Sequence, residues 1–131
     1  MKYIYPAIFT EEADGILVDF PDLPSCYTDG ANLEEAFENA EDALALALWQ
    51  LEEKRAEIPT PSAPAALTVP KGASVALVRA DPLPVRQMND TRTVRKNVTL
   101  PGWMDTLARE HNINFSKLLQ TAIRRECGIG V

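Results

Sequence analysis

Residues 92–100 alternate between apolar and polar side chains with a period of two. The alternation divides them into an apolar set of Val94, Val98 and Leu100 and a polar set of Arg95, Asn97 and Thr99. This pattern predicts a β-strand with one apolar and one polar face, and Pro101 ends it. Lys96 is the exception, because it is a cation on the apolar side whose stem can pack while its charge reaches outward.

Two short helices are predicted after this strand. The first runs from about Gly102 to Glu110 and the second from Phe115 to Cys127, with Asn114 as the N-cap of the second. Their apolar residues repeat at helical spacing, namely Trp103, Met104, Leu107 and Ala108, then Leu118, Leu119, Ala122 and Ile123. One strand and two short helices bury too little apolar surface to be stable alone, so we expect a second copy to complete the core.

This β-α-α segment resembles a ribbon-helix-helix domain, in which two copies pair their strands into a ribbon that enters the DNA major groove. The resemblance rests on the strand that ends at Leu100-Pro101, on Leu107, and on the turn into residues 114–119. It implies base contacts by Arg95, Asn97 and Thr99. It implies phosphate contacts by Lys96, Asn114, Ser116 and Lys117. The alternative is a β-α-α fragment whose strand belongs to a larger mixed sheet.

The N-terminal half is predicted to form a sheet covered by one long helix. The predicted strands are residues 2–9, 16–20, 25–28 and 74–78. Pro6 favours an edge position or a bulge for the first strand. The helix runs from Leu33 to about Glu53, and Asn32 caps it with Glu35 three residues on.

Two segments are predicted to be connectors. The proline-rich residues 58–64 form a stiff one, and residues 81–91 form a second. The domain assignment is therefore residues 1–85, a linker at residues 86–91, and residues 92–131. The order β-β-β-α-β followed by β-α-α places the chain in the α+β class.

The net charge of −6 conceals two halves of opposite sign. Residues 1–58 contain three basic and 14 acidic side chains, whereas residues 59–131 contain ten basic and five acidic ones. The basic half suits DNA phosphates, and the acidic half suits a basic protein partner. Two distant cysteines and one histidine make a poor metal set, so no metal or other cofactor is expected. With no signal peptide and no apolar run of membrane length, the expected location is the cytoplasm.

Nearly the whole chain resembles the HicB-type antitoxins, the protein partners of HicA toxins. The resemblance is carried by Tyr5-Pro-Ala-Ile-Phe9, by Asp19-Phe-Pro-Asp-Leu-Pro-Ser-Cys26, by residues 28–30, 35–36 and 58–62, and by the ribbon-helix-helix end. It implies an N-terminal partial ribonuclease-H-like domain that neutralises a small, basic, RNA-cleaving toxin by occlusion. It implies a C-terminal domain that forms a homodimer, with tetramers left open, and represses the shared operon on its operator DNA. Such a protein is not expected to be an enzyme.

Toxin contact is expected from the N-terminal domain as a whole. The candidate residues are acidic positions on the long helix, equally well explained as a solvated face: Glu34, Glu38, Glu41 and Asp42. The alternative function is a repressor whose N-terminal domain senses a small molecule. A metal-dependent phosphodiesterase would use Asp14, Asp19, Asp22 and Asp29, but predicted turns and an outward strand position suit solvated carboxylates better. Cys26 and His111 fall in different predicted domains, which argues against a nucleophile pair.

Overall fold

The structure is a computed structural model that describes residues 2–130, and the chain divides between Arg92 and Thr93 into two compact units. The N-terminal unit contains β1 (Tyr3–Glu12), β2 (Gly15–Asp19), β3 (Tyr27–Gly30), α1 (Leu33–Glu53), β4 (Ala73–Ala80) and α2 (Leu83–Asn89). The C-terminal unit contains α3 (Gly102–Glu110) and α4 (Phe115–Glu126). Within the described residues, no helix is both long and apolar enough to cross a membrane.

The four strands form one antiparallel sheet in the order β3-β2-β1-β4, which confirms the predicted β-β-β-α-β order and the α+β class. β1 as a whole lies inside the sheet, but Pro6 occupies a local edge position of it, in agreement with the sequence prediction. β4 pairs with β1 from Tyr3 onward, whereas β2 pairs with it only from Ile8. Pro6 therefore lies in a stretch of β1 that has β4 on one side and no strand on the other. On the side without a neighbouring strand no backbone N–H is needed for pairing, so a proline is tolerated there.

Helix α1 covers one face of the sheet and has the bounds that the sequence predicts. It begins after Asn32, whose side-chain oxygen accepts a hydrogen bond from the Glu35 N–H at 2.9 Å. The buried core combines residues of α1 with residues of the strands, including Ala36, Ala40, Leu44 and Leu48 with Tyr5, Ala7, Phe9, Val18 and Val78. Gly30 permits the close approach of β3 to α1, because a Cβ at this position would lie 2.3 Å from the backbone nitrogen of Ala36.

A long connector links α1 to β4. The connector comprises residues 54–72 and contains one short 3-10 turn at Pro64–Ala66. It leads the chain from the end of α1 to the start of β4, which pairs antiparallel with β1. The Ser62 N–H donates to the Asp22 carboxylate at 2.9 Å, and the Ser62 hydroxyl donates to the other oxygen of that carboxylate. The Tyr5 hydroxyl donates to the Pro59 carbonyl. These bonds hold the predicted stiff connector against the sheet and its loops.

Most of the segment predicted as a linker, residues 86–91, is helical, because α2 occupies residues 83–89 and packs on α1. Pro84 lies in the first turn of α2, where a missing N–H costs nothing. The Arg86 guanidinium forms an ion pair with the Glu52 carboxylate of α1 at 2.6 Å, and the Tyr3 hydroxyl donates to the same carboxylate at 3.1 Å. This ion pair joins residues 34 positions apart.

The two helices of the C-terminal unit agree with the sequence prediction to within one residue. The Asn114 side chain caps α4 by accepting a hydrogen bond from the Lys117 N–H at 3.1 Å. The turn between the helices closes at Asn112, which has a positive φ of 51°, and the Ile113 N–H donates to the Ala108 carbonyl. Residues 90–101 have no regular secondary structure in the single chain. A strand exists only beside a hydrogen-bonded neighbour, so the predicted ribbon strand stays a prediction.

Candidate interaction surfaces

The C-terminal unit carries an apolar groove instead of a closed core. Of residues 93–130, Ala108 alone is buried. The groove has a volume of about 420 Å³ and is lined by Lys96, Val98, Leu100, Met104, Leu107, Ala108, Ile113, Phe115, Ser116, Leu118, Leu119 and Ala122. Several of the leucines that line it are about half exposed in the single chain. An exposed apolar groove of this kind is typical of a surface that binds a partner or a ligand.

The extended segment that precedes α3 contributes alternate residues to this groove. Lys96, Val98 and Leu100 line it. Lys96, the one cation in the apolar set of the predicted strand, therefore lies among apolar side chains. The residues of the other parity, which are predicted to contact bases, do not line the groove; they are Arg95, Asn97 and Thr99. Both sets are solvent-exposed in the single chain. The division into two sets follows the period-2 pattern of the sequence.

The residues predicted to contact phosphates lie at two places. Lys96 lines the groove, and the other three, Asn114, Ser116 and Lys117, lie at the start of α4. The cap by Asn114 satisfies the Lys117 N–H, which leaves the N–H groups of Phe115 and Ser116 as first-turn donors without an intrahelical partner. A helix start of this kind attracts anions through its free N–H groups and the helix dipole.

The aspartates of the N-terminal unit occupy separate environments. Asp22 is engaged by Ser62, whereas Asp14 lies in the β1–β2 turn. Asp19 and Asp29 are exposed on neighbouring strands. Nowhere in residues 2–130 do three His, Cys, Asp or Glu side chains come together as a metal site would require. The role of Asp22 in holding the connector is one that sequence reasoning misses.

Cys26 is a buried side chain whose environment opposes ionisation. Its thiol donates to the Ala43 carbonyl at an Sγ–O distance of 3.7 Å. Burial, together with the nearby charge of Asp19, raises the pKa of the Cys26 thiol to about 11. The thiolate is the nucleophilic form, so Cys26 is unreactive at neutral pH. Cys127, in the other unit, is exposed.

Two surfaces of the N-terminal unit are open to a partner. The acidic face of α1 consists of the predicted candidates, all of which are solvent-exposed: Glu34, Glu38, Glu41 and Asp42. The second surface is the face of the sheet that α1 leaves uncovered, here called the open sheet face. By strand register it comprises Ile4, Pro6, Ile8, Thr10, Glu12, Leu17, Asp19, Tyr27, Asp29, Ala73, Val75, Leu77 and Arg79. Sequence reasoning misses this face, although the unbroken apolar run from Tyr3 to Phe9 signals a strand covered on both sides.

Comparison with known proteins connects both units to one family. A family model described as the HicB-like antitoxin of bacterial toxin–antitoxin systems matches residues 5–123. Antitoxin HicB 2 of Photorhabdus laumondii is 42% identical over 106 residues, which cover 81% of this chain and 73% of that protein. An uncharacterized 14.9 kDa protein from the rep-hol intergenic region of Haemophilus phage HP1 is 34% identical over 56 residues, 43% of this chain and 42% of that protein.

Solved structures show the same relationship. A chain of a toxin–antitoxin complex from Streptococcus pneumoniae superposes with a TM-score of 0.62 at 25% identity, covering 96% of this chain and 99% of that chain. A chain of a HicA3 and HicB3 toxin–antitoxin complex superposes with a TM-score of 0.52 at 26% identity, covering 61% of this chain and all of that chain. The first likeness extends over both units.

Proposed function

The chain belongs to the HicB-like antitoxin family, and we propose that it neutralises a small, basic, RNA-cleaving HicA-type toxin by covering the toxin's RNA-contacting surface. The observation that carries this proposal is the family match over residues 5–123, which spans both units. A surface that contacts RNA is basic because it must attract phosphates. Residues 1–92 contain 16 acidic and seven basic side chains, a balance that favours such a partner. Occlusion requires no catalytic group from this chain.

The test of neutralisation is co-expression of the full chain with the reading frame beside its gene, followed by purification through a tag on this chain. We expect a small basic protein to co-purify in stoichiometric amounts and to cleave RNA only when this chain is absent. Failure of any protein to co-purify, with a neighbouring gene product that is harmless alone, would contradict the proposal. The cytoplasmic location stays a prediction.

The C-terminal unit acts as the dimerisation and operator-binding part of the antitoxin. Two copies pair residues 92–100 into an antiparallel ribbon and close their apolar grooves against each other, as in ribbon-helix-helix proteins. The groove lined by alternate residues of this segment supports the arrangement, because it places Lys96, Val98 and Leu100 on the side that a second copy would cover. The exposed set then faces DNA, and operator binding represses the operon.

Operator binding is tested by fluorescence anisotropy on DNA from upstream of the gene, at several salt concentrations. We expect Arg95→Ala, Asn97→Ala and Thr99→Ala each to cost about 1–3 kcal/mol on the operator while dimerisation is unchanged. Lys117→Ala is the matched phosphate variant, and it should weaken operator and unrelated DNA alike and reduce the salt dependence. If all three base-contact variants bind the operator as tightly as the wild type, the ribbon assignment is incorrect.

Neither rival function has comparable support. A small-molecule sensor is not favoured, because the family and the named relative are antitoxins. A phosphodiesterase would need carboxylates that converge, whereas Asp22 is occupied by Ser62 and Asp14 lies in a turn.

A further inference from the structure

The open sheet face is apolar where an uncovered sheet face is normally polar. In an antiparallel sheet with one covered face, successive residues alternate between core and solvent, and the solvent positions are hydrophilic. β1 breaks this rule, because Ile4, Pro6 and Ile8 lie on the open sheet face. Leu17 of β2 and Leu77 of β4 lie on the same face.

Apart from Pro6, which is buried, these apolar residues are wholly or partly accessible in the N-terminal unit. Ile4, Leu17 and Leu77 are 49%, 47% and 56% exposed, respectively. Ile8 and Val75, which are partly buried and pair with each other, lie between Leu17 and the other two and make the surface continuous. An apolar patch of this kind with charged residues around it is typical of a protein–protein interface. The charges on the face identify the kind of partner.

The open sheet face has an acidic margin. Glu12, Asp19 and Asp29 lie on it, and Arg79 is the one cation among its strand residues. Two copies of this face would bring six carboxylates together with two guanidinium groups, so like charges would oppose self-association. A basic partner with apolar side chains at its centre is attracted instead.

On the premise of the toxin neutralisation proposed above, we propose that the open sheet face is the surface that docks the toxin. The apolar centre of the interface is formed by the accessible apolar residues of this face, Ile4, Ile8, Leu17, Val75 and Leu77. Asp19 and Asp29 pair with basic residues of the toxin's RNA-contacting surface. The toxin then supplies the second layer that the sheet lacks, and its RNA-binding surface is buried in the same contact.

The acidic face of α1 is less suited to hold the toxin. Its exposed large apolar residues, Leu33 and Leu46, are thirteen positions apart, about 20 Å along the helix, and form no patch. Solvated charges on a helix accelerate encounter with a basic partner and contribute little individually to the bound state. Glu38 and Glu41 on α1 therefore act mainly on the association rate.

The experiment measures affinity of the full chain for the toxin encoded beside its gene, by isothermal titration calorimetry. We expect Asp19→Lys/Asp29→Lys to weaken binding by at least about tenfold, because it places like charges against a basic surface. Leu17→Ser/Leu77→Ser should also weaken it by at least about tenfold, because it removes apolar contact at the centre.

Two further double variants serve as comparisons. Glu53→Lys/Glu57→Lys makes the same change of charge outside the open sheet face and should alter the affinity by less than about threefold, as expected for exposed charges. Glu38→Lys/Glu41→Lys tests the rival surface on α1. Thermal unfolding of each variant is compared with that of the wild type, and Asp19→Asn/Asp29→Asn replaces the lysine pair if that pair fails to fold.

The outcomes separate this inference from the function on which it rests. If the wild type does not bind the toxin, the proposed function fails. If the wild type binds and only Glu38→Lys/Glu41→Lys weakens the complex, the function stands and the open sheet face is the wrong surface. If the variants of the open sheet face instead lower the oligomeric state of the chain without toxin, a second copy covers this face and the inference is overturned.

Discussion

Leu107 provides the sharpest test of the proposed C-terminal dimer. It lies on α3, lines the apolar groove, and is 45% exposed in the single chain. Complete burial of a leucine side chain is worth about 1.5–3 kcal/mol, so the exposed part is worth about 1 kcal/mol when a second copy covers it. A two-fold interface contains the residue twice, so Leu107→Ala should destabilise the dimer by about 2 kcal/mol, which corresponds to a dissociation constant raised about 30-fold.

The assay is sedimentation equilibrium of the full chain over a wide range of concentration. Thr106→Ala is the control, because it changes the exposed neighbour of Leu107 on the same helix. We expect the control to dimerise like the wild type and Leu107→Ala to dissociate at higher concentrations. A wild-type chain that is monomeric throughout, or an unchanged dissociation constant for Leu107→Ala, would refute the argument that the groove is the dimer interface.

Three predictions concern the N-terminal unit and the cysteines. At pH 8, a thiol reagent should label the exposed Cys127 while Cys26 stays protected, as read by mass spectrometry of the native chain. The pKa of the Cys26 thiol is raised to about 11, so the unfolded chain loses this proton at lower pH than the folded chain does. Native stability should therefore fall as the pH rises through that pKa, and denaturant titration of Cys26→Ala should lack this part of the slope. Asp22→Ala should destabilise the N-terminal unit by about 1–3 kcal/mol by leaving Ser62 without its acceptors, whereas Asp14→Ala, in the β1–β2 turn, should have little effect.

The helices with local signals are predictable from the sequence. α1 and α4 each begin after an asparagine whose side chain caps the first turn, and each has an apolar stripe at helical spacing. Such signals lie within a few residues of the boundary that they mark. The bounds of α1, α3 and α4 therefore agree with the sequence analysis to within one residue.

The features that sequence reasoning misses depend on distant partners. α2 follows Pro82 and contains Pro84 in its first turn, and its ion pair from Arg86 to Glu52 joins positions 34 apart. The place of β1 inside the sheet depends on which strands flank it, and strand order is not encoded in a local pattern. The open sheet face is likewise defined by the register of the strands, which places Ile4 of β1 and Leu77 of β4 on the same side of the sheet. A local pattern in one strand does not give this register.

The two units differ in what stabilises them, and this difference bears on the two proposed activities. Among the described residues of the N-terminal unit, 13 side chains form a buried core, whereas Ala108 alone is buried among residues 93–130. The first unit can therefore hold the proposed toxin-binding surface in a single chain, but the second can form the proposed DNA-binding ribbon only after two chains have paired. Operator binding should consequently depend on antitoxin concentration more steeply than toxin binding does.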